Sequence, residues 1–213
     1  APAGMGGPII TLMEKGFVDF IVSTGANLYH DLHFALDLPV YQGDFRANDV
    51  ELRKRGIVRI YDIFVPDDSL LKTDAFLKEI FLSQKLNKPI STAELHRIVG
   101  GAILTKGKNP ERSIVAQAVK YDVPIYTSSP GDSSIGMNLS AAKMKGGTVT
   151  VDPDLDVMET TAIVYGSRKN GAIEIGGGSP KNFYLQTQPQ LSQILKVGGG
   201  GQDFLIQITT SSP

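Results

Sequence analysis

The residues predict an α/β domain built on a parallel sheet, and three observations carry that expectation. Helix-like and strand-like stretches alternate along most of the 213 residues. Loops of glycine or small polar residues follow strand-like runs, as in Ser23-Thr24-Gly25-Ala26-Asn27 and Gly176-Gly177-Gly178. The hydrophobic share, 41%, is enough to bury the core of one domain of ordinary size.

Pro8 suits a first helical turn after Gly6-Gly7, and Ile9, Ile10, Leu12 and Met13 give that helix an apolar face that stops at Gly16. Residues 18–23 read as a buried strand and residues 28–36 as the next helix. Residues 40–56 read as polar and irregular. Residues 57–65 are rich in β-branched and aromatic side chains up to the breaker Pro66, and are expected to lie over one sheet edge. Residues 70–82 have helical spacing, and Ser91-Thr92-Ala93-Glu94 has the capping-box pattern that starts another helix.

Asn109-Pro110-Glu111 marks a helix start running to Tyr121, followed by a strand at 123–127. Residues 147–151 read as β, 158–165 as a helix, 171–175 as a strand, 180–195 as a helix and 203–208 as the last strand. The run Gly198-Gly199-Gly200-Gly201 reads as a flexible connector.

A net charge of −1 favours neither nucleic acid nor an anionic membrane surface. With no cysteine, this sequence has no disulfide, thiolate nucleophile or cysteine metal site. No apolar run approaches a membrane span, so a cytoplasmic protein is expected. The chain opens on Ala1-Pro2-Ala3-Gly4 and closes on a polar loop at Pro213, which suggests one domain over 1–213 that lacks natural segments at both ends.

In parallel sheets, ligands bind where loops leave the carboxyl ends of strands. Loops 23–27, 127–134, 176–179 and 209–213 qualify here, and together with Ala3-Gly4-Met5-Gly6-Gly7 they point to a nucleotide cofactor. Asp132 either binds ribose hydroxyls or caps the following helix, the cap being preferred from the residues alone. His30 and His33 share a helix face, but the metalloprotease pattern and a third ligand are absent, so no metal is expected. His33 and His96 read as structural, and His30 as the histidine nearer a ligand. The acidic run from Asp152 to Asp156 reads as a helix start.

Five stretches in order are similar to blocks of the deoxyhypusine synthase family. They are residues 18–32 (Val-Asp-Phe-Ile-Val-Ser-Thr-Gly-Ala-Asn-Leu-Tyr-His-Asp-Leu), 51–57 (Glu-Leu-Arg-Lys-Arg-Gly-Ile), 64–66 (Phe-Val-Pro), 131–136 (Gly-Asp-Ser-Ser-Ile-Gly) and 175–181 (Ile-Gly-Gly-Gly-Ser-Pro-Lys). The resemblance implies a Rossmann-like parallel sheet with helices on both faces, in a homotetramer with NAD at subunit interfaces. It also implies NAD-dependent oxidation of spermidine and transfer of its aminobutyl group, through an enzyme lysine, to an acceptor amine.

Carried over by position, Gly4, Thr24, Gly25, Ala26, Asp132, Gly177, Thr210 and Ser211 would contact NAD. Tyr29, His30, Met137 and Asn182 would face the polyamine, where the family has two glutamates, an aspartate and a histidine. Fewer carboxylates should alter polyamine recognition, so the acceptor is either a protein lysine or a small amine such as putrescine, giving homospermidine. The family's nucleophilic lysine would lie beyond Pro213, and Lys181 does not match it. The alternative expectation is an NAD-binding subunit without its own catalysis.

Overall fold

The structure, a computed structural model, describes residues 4–198 and 201–210. Its first helix, α1 (Gly6–Glu14), carries Pro8 in the opening turn and ends where Gly16 takes the left-handed φ of 70°. Strand β1 (Ile21–Val22) leads into α2 (Gly25–Ala35). That helix starts three residues earlier than its apolar pattern, because the Thr24 hydroxyl accepts from Asn27 N at 3.4 Å and caps it.

The region expected to be irregular contains β2 (Tyr41–Gln42) and α3 (Asp49–Lys54). Asn48 Oδ1 accepts from the amides of Val50 and Glu51 and so begins α3, an N-cap whose signal the polar composition hides. The apolar run after it is a hairpin. Strands β3 (Ile57–Ile60) and β4 (Ile63–Pro66) pair antiparallel, with Tyr61 at φ 55° in the turn between them, and β2 adds to the other side of β4. No glycine or proline marks that turn, which is why the run reads as continuous.

Helices α4 (Asp67–Ser83) and α5 (Thr92–Lys106) follow, and Ser91 caps α5 by accepting from Glu94 N at 3.2 Å as expected. The helix expected from residue 109 is a single 3-10 turn, Pro110–Arg112, and then α6 (Ile114–Lys120), capped by Ser113. After β5 (Ile125–Tyr126) come α7 (Ser134–Lys143), α8 (Pro153–Gly166), β6 (Gly171–Ile175), α9 (Ser179–Leu185) and β7 (Phe204–Ile208). The chain after α9 continues as a turn, Thr187–Pro189, and a π-helical stretch, Gln190–Leu195, instead of one regular helix to 195. Pro189 offers no amide to the preceding turn, and the widened hydrogen bonding follows it.

Parallel pairing is present, but not as the single ladder the residues suggest. Among the described residues β1 pairs with β5, β6 pairs with β7 over five residues, and Ile90 and Val151 form an isolated parallel bridge. The expected strand at 147–151 is reduced to that bridge.

The main core lies between helices and β5, with Leu28, Leu32, Leu77, Phe81, Val99, Ile103 and Ile125 almost fully buried. A smaller cluster of Val164, Tyr184 and Leu191 packs on Phe20 and Val22, which ties α8 and α9 to β1.

Buried carboxylates join the helices. Asp31 of α2, 1% exposed, accepts from Ser113 Oγ (2.6 Å), Ile114 N (2.9 Å) and Val115 N (3.2 Å) and so closes the start of α6. Burial pushes its carboxyl up, and the three donors oppose that shift. Asp156 does the same for α5, accepting from the amide and the hydroxyl of Thr92, both at 2.7 Å. The acidic run therefore serves as helix structure, with Asp152 capping α8 through Asp154 N. Asp31→Ala leaves two helix amides and a hydroxyl without an acceptor, so a urea titration should show a loss of about 2–4 kcal/mol. An unchanged midpoint would mean that this cap contributes nothing.

Candidate functional site

Three loops leave the carboxyl ends of β1, β5 and β6 and meet. The first contact needs a glycine. A Cβ on Gly25 would stand 2.6 Å from Ser133 Cβ, so only a bare α-carbon lets the loop after β5 lie against the start of α2. Ser133 in turn caps α7, accepting from Gly136 N at 3.2 Å. The second contact joins Ser128 and Ser129 to Ser179, with Oγ···Oγ distances of 2.7 and 3.2 Å. Loops 23–25, 127–133 and 176–179 thus surround one mouth.

The β5 loop is held from below. His96 Nδ1 bonds the Ile125 carbonyl at 2.7 Å, and Thr127 N donates to Thr92 Oγ1 at 2.9 Å, whose own proton goes to Asp156. His96 is structural, as its helical position suggests.

In the triglycine loop, Gly176 and Gly178 have φ of 88° and 76°, which side-chain-bearing residues rarely adopt. Gly177 is open, with only Gln207 Nε2 within 4 Å of a built Cβ. Beneath the loop Lys181 Nζ lies 3.3 Å from the buried Glu174 carboxylate and donates to Gln207 Oε1 at 2.9 Å, while Gln207 Nε2 donates to the Gly176 carbonyl. Lys181 braces the loop and is not a bare surface lysine. Gly176 N donates to Ile208 O, which puts the end of β7 and exposed Thr210 beside the same loop.

Asp132 is exposed, and its carboxylate makes no hydrogen bond or ion pair with the described residues. The cap expected of it belongs to its neighbour Ser133, which stands in extended backbone directly before the first helical residue and accepts from Gly136 N. Thr24 and Ala26 are exposed at the mouth, and Gly25 is buried between them. Gly4 is exposed with φ 81° ahead of α1, and Ser211 lies outside the described residues.

One turn below the mouth, α2, α4 and α7 share a polar cluster. Tyr29 is 3% exposed, and its hydroxyl lies 2.9 Å from Asp74 Oδ1 and 3.1 Å from Leu70 O. Asn138 Nδ2 donates to the same Asp74 oxygen at 2.6 Å and to Ser134 O at 2.8 Å. Met137 and Asn182 are exposed.

Beside this, Thr73 Oγ1 gives its proton to Ser69 O, so it accepts from His33 Nδ1 at 2.8 Å. His33 Nε2 is then the acceptor, and half-buried His30 donates to it from Nδ1 at 3.1 Å. The tautomers are set in sequence, and the remaining lone pair of the neutral relay is on His30 Nε2. Burial, then the nearby His30, pushes His33 down to about 4, with Asp74 opposing; burial pushes His96 to about 4 and His30 down as well.

Ser128 and Ser179 lie in loops that the sequence marks as ligand-binding, whereas nothing in the sequence singles out Asp74, Asn138 or Thr73. Asp74 sits in an ordinary helical stretch and meets Tyr29 and Asn138 from 45 and 64 residues away, so no local pattern marks it.

Comparison with known proteins points to the same family as the motifs. The deoxyhypusine synthase family model matches residues 1–213. A deoxyhypusine synthase-like protein of Nostoc punctiforme is 45% identical over 220 residues, covering all of this chain and 56% of that protein. A "probable deoxyhypusine synthase 2" of Methanosarcina acetivorans is 38% identical over 213 residues and is covered to 61%. The chain therefore spans a little over half the length of these relatives. A crystal structure of an Entamoeba histolytica protein provisionally named deoxyhypusine synthase superposes with a TM-score of 0.62 at 21% identity, over 83% of this chain and 56% of that one, and shows the fold alone. Among the described residues no helix is long and apolar enough to cross a membrane.

The histidines give a direct test of the packing. NMR titration should find the His33 and His96 rings neutral until about pH 4. Their contribution to stability is complete above pH 6.5 and is lost as pH falls from 6.5 toward 4, because the unfolded chain takes up those protons first. Asp156, pushed up to about 6 chiefly by burial, acts in the opposite sense between 6 and 3.8, and site-resolved shifts separate the two. Ring midpoints near 6.5 would contradict the burial of these side chains.

Proposed function

Because the chain belongs to the deoxyhypusine synthase family, we propose that it is the NAD-binding part of an enzyme that transfers an aminobutyl group from spermidine to an amine acceptor. The observation that carries this reading is the meeting of three strand-end loops at Gly25–Ser133 and at Ser128/Ser129–Ser179. A dinucleotide needs such a mouth, with open backbone for its diphosphate and a carboxylate for a ribose.

The residues present fit that group. Gly177 has free space above its α-carbon, and the Asp132 carboxylate has no competing partner among the described residues. In this reading the Gly177 backbone approaches the diphosphate and Asp132 accepts from ribose hydroxyls. Thr24, Ala26 and Thr210 line the mouth, Gly25 makes room for the Ser133 cap, and Gly4 and Ser211 complete the set. NAD, when bound, supplies the hydride acceptor for amine oxidation. The chain's own residues hold it and exclude water.

We assign the β1–β5 pair, the β6–β7 pair and the Ile90–Val151 bridge to sections of one Rossmann-like sheet with helices on both faces. Its support is the parallel pairing within each of them and the packing of Phe20 on Tyr126 and Tyr184, with ring centroids 6.0 and 5.9 Å apart. The β6–β7 pair exposes Ile173, Ile175, Phe204, Ile206 and Ile208, an apolar surface of the kind that marks a contact with another part of the protein or another copy. A cytoplasmic homotetramer with NAD at its interfaces accords with that surface.

We assign His30, Met137 and Asn182 to the polyamine side, with Tyr29 buried behind it and bonded to Asp74 instead of facing the ligand, and the acceptor is either putrescine, giving homospermidine, or a protein lysine. The test is incubation of the whole protein with spermidine, NAD and each acceptor, followed by amine analysis. Release of 1,3-diaminopropane is expected, and its absence with every acceptor overturns the reading. Gly177→Val fits the open space sterically, so the fold should persist while NAD affinity by calorimetry falls at least about tenfold, or ~1.4 kcal/mol. An unchanged affinity would remove Gly177 from the cofactor site.

A further inference from the structure

We infer that Asp74 is the ammonium-anchoring residue of the polyamine site, delivered by α4 in place of the acidic side chains that positions 29, 30 and 137 lack. This rests on the spermidine reading above.

Asp74 differs from the buried and the arginine-paired carboxylates among the described residues, and it alone of the half-buried ones is held by side chains from two other helices. Asp31 and Asp156 are consumed by helix starts, with backbone and hydroxyl donors on both oxygens. Asp44 and Asp49 are each matched by an arginine. Asp74 takes two neutral donors, the Tyr29 hydroxyl and the Asn138 amide, and both go to Oδ1. Oδ2 accepts from none of the described residues, and no lysine, arginine or histidine among them forms an ion pair with Asp74.

The side chain is half-buried and held in one orientation by those two donors. A partly desolvated carboxylate with its charge unmatched is unfavourable, and a cation with N–H donors relieves that cost through a charge-assisted hydrogen bond.

Its position suits an elongated amine. Tyr29 lies one turn into α2 from Gly25, and Asn138 one turn into α7 from Ser134. Asp74 bridges these two helices just below the mouth where their starts meet. The Tyr29 ring is buried and packs edge-on against His30 and His33, with centroids 5.3 Å from each, which fixes the hydroxyl that holds the carboxylate. The Tyr29 hydroxyl thus holds the Asp74 carboxylate in place. The ligand class is an aliphatic di- or polyamine.

Asp74→Asn keeps an oxygen for Tyr29 and Asn138 and removes the charge. With the whole protein, calorimetry should show spermidine binding about 10- to 100-fold weaker in this variant, with NAD affinity and thermal midpoint unchanged. Asp74→Glu keeps the charge and should stay within about threefold of the wild type. Wild-type spermidine affinity in Asp74→Asn overturns the inference and leaves the spermidine reading standing. Equal loss in both variants also overturns it, and makes Asp74 a clamp between helices. A wild-type protein that binds NAD and no polyamine overturns both.

Discussion

The close approach of Gly25 to Ser133 is the constraint on which the site depends. Thr24 and Ser133 each end a loop and cap a helix, and both caps can stand side by side only because residue 25 has no side chain to separate them. From that contact the starts of α2 and α7 converge, and the residues one turn further on are brought to a common cluster. A methyl at this one position would have to push against a side chain already committed to capping, so helix packing and site geometry are coupled through it.

The surrounding polar network shows how a mostly apolar interior tolerates charge. Asp31 and Asp156 are buried where a helix begins, so each meets backbone donors that would otherwise be orphaned. The Asp156–Thr92–Thr127 chain then reaches the exit of β5 and holds the loop that carries Asp132. Asp31 and Asp156 have both oxygens occupied by donors from the chain. Asp74 instead accepts from two side chains on one oxygen, and its other oxygen accepts from none of the described residues.

Local signals made part of this legible. Ser91 and Glu94 announced α5, the apolar face of residues 9–13 announced α1, and small residues after strand-like runs marked loops 23–27, 127–134 and 176–179. Signals failed where a turn carried no glycine or proline, as at Tyr61 between β3 and β4, or where polar composition concealed a cap, as at Asn48. Asp132 and Ser133 are both cap-forming residue types, and only backbone geometry chooses Ser133 as the cap of α7.

The residues alone determined the alternation of helices and strands, the loops that crowd the strand ends and, through the order of five motifs, the family. Those depend on short-range periodicity, capping and turn chemistry, which act within a few residues. Tertiary structure decided that Tyr29 is buried, that His33 and His30 share one proton relay, and that Asp74 meets both Tyr29 and Asn138. Such pairings join residues dozens of positions apart, and their geometry exists only once the helices have packed.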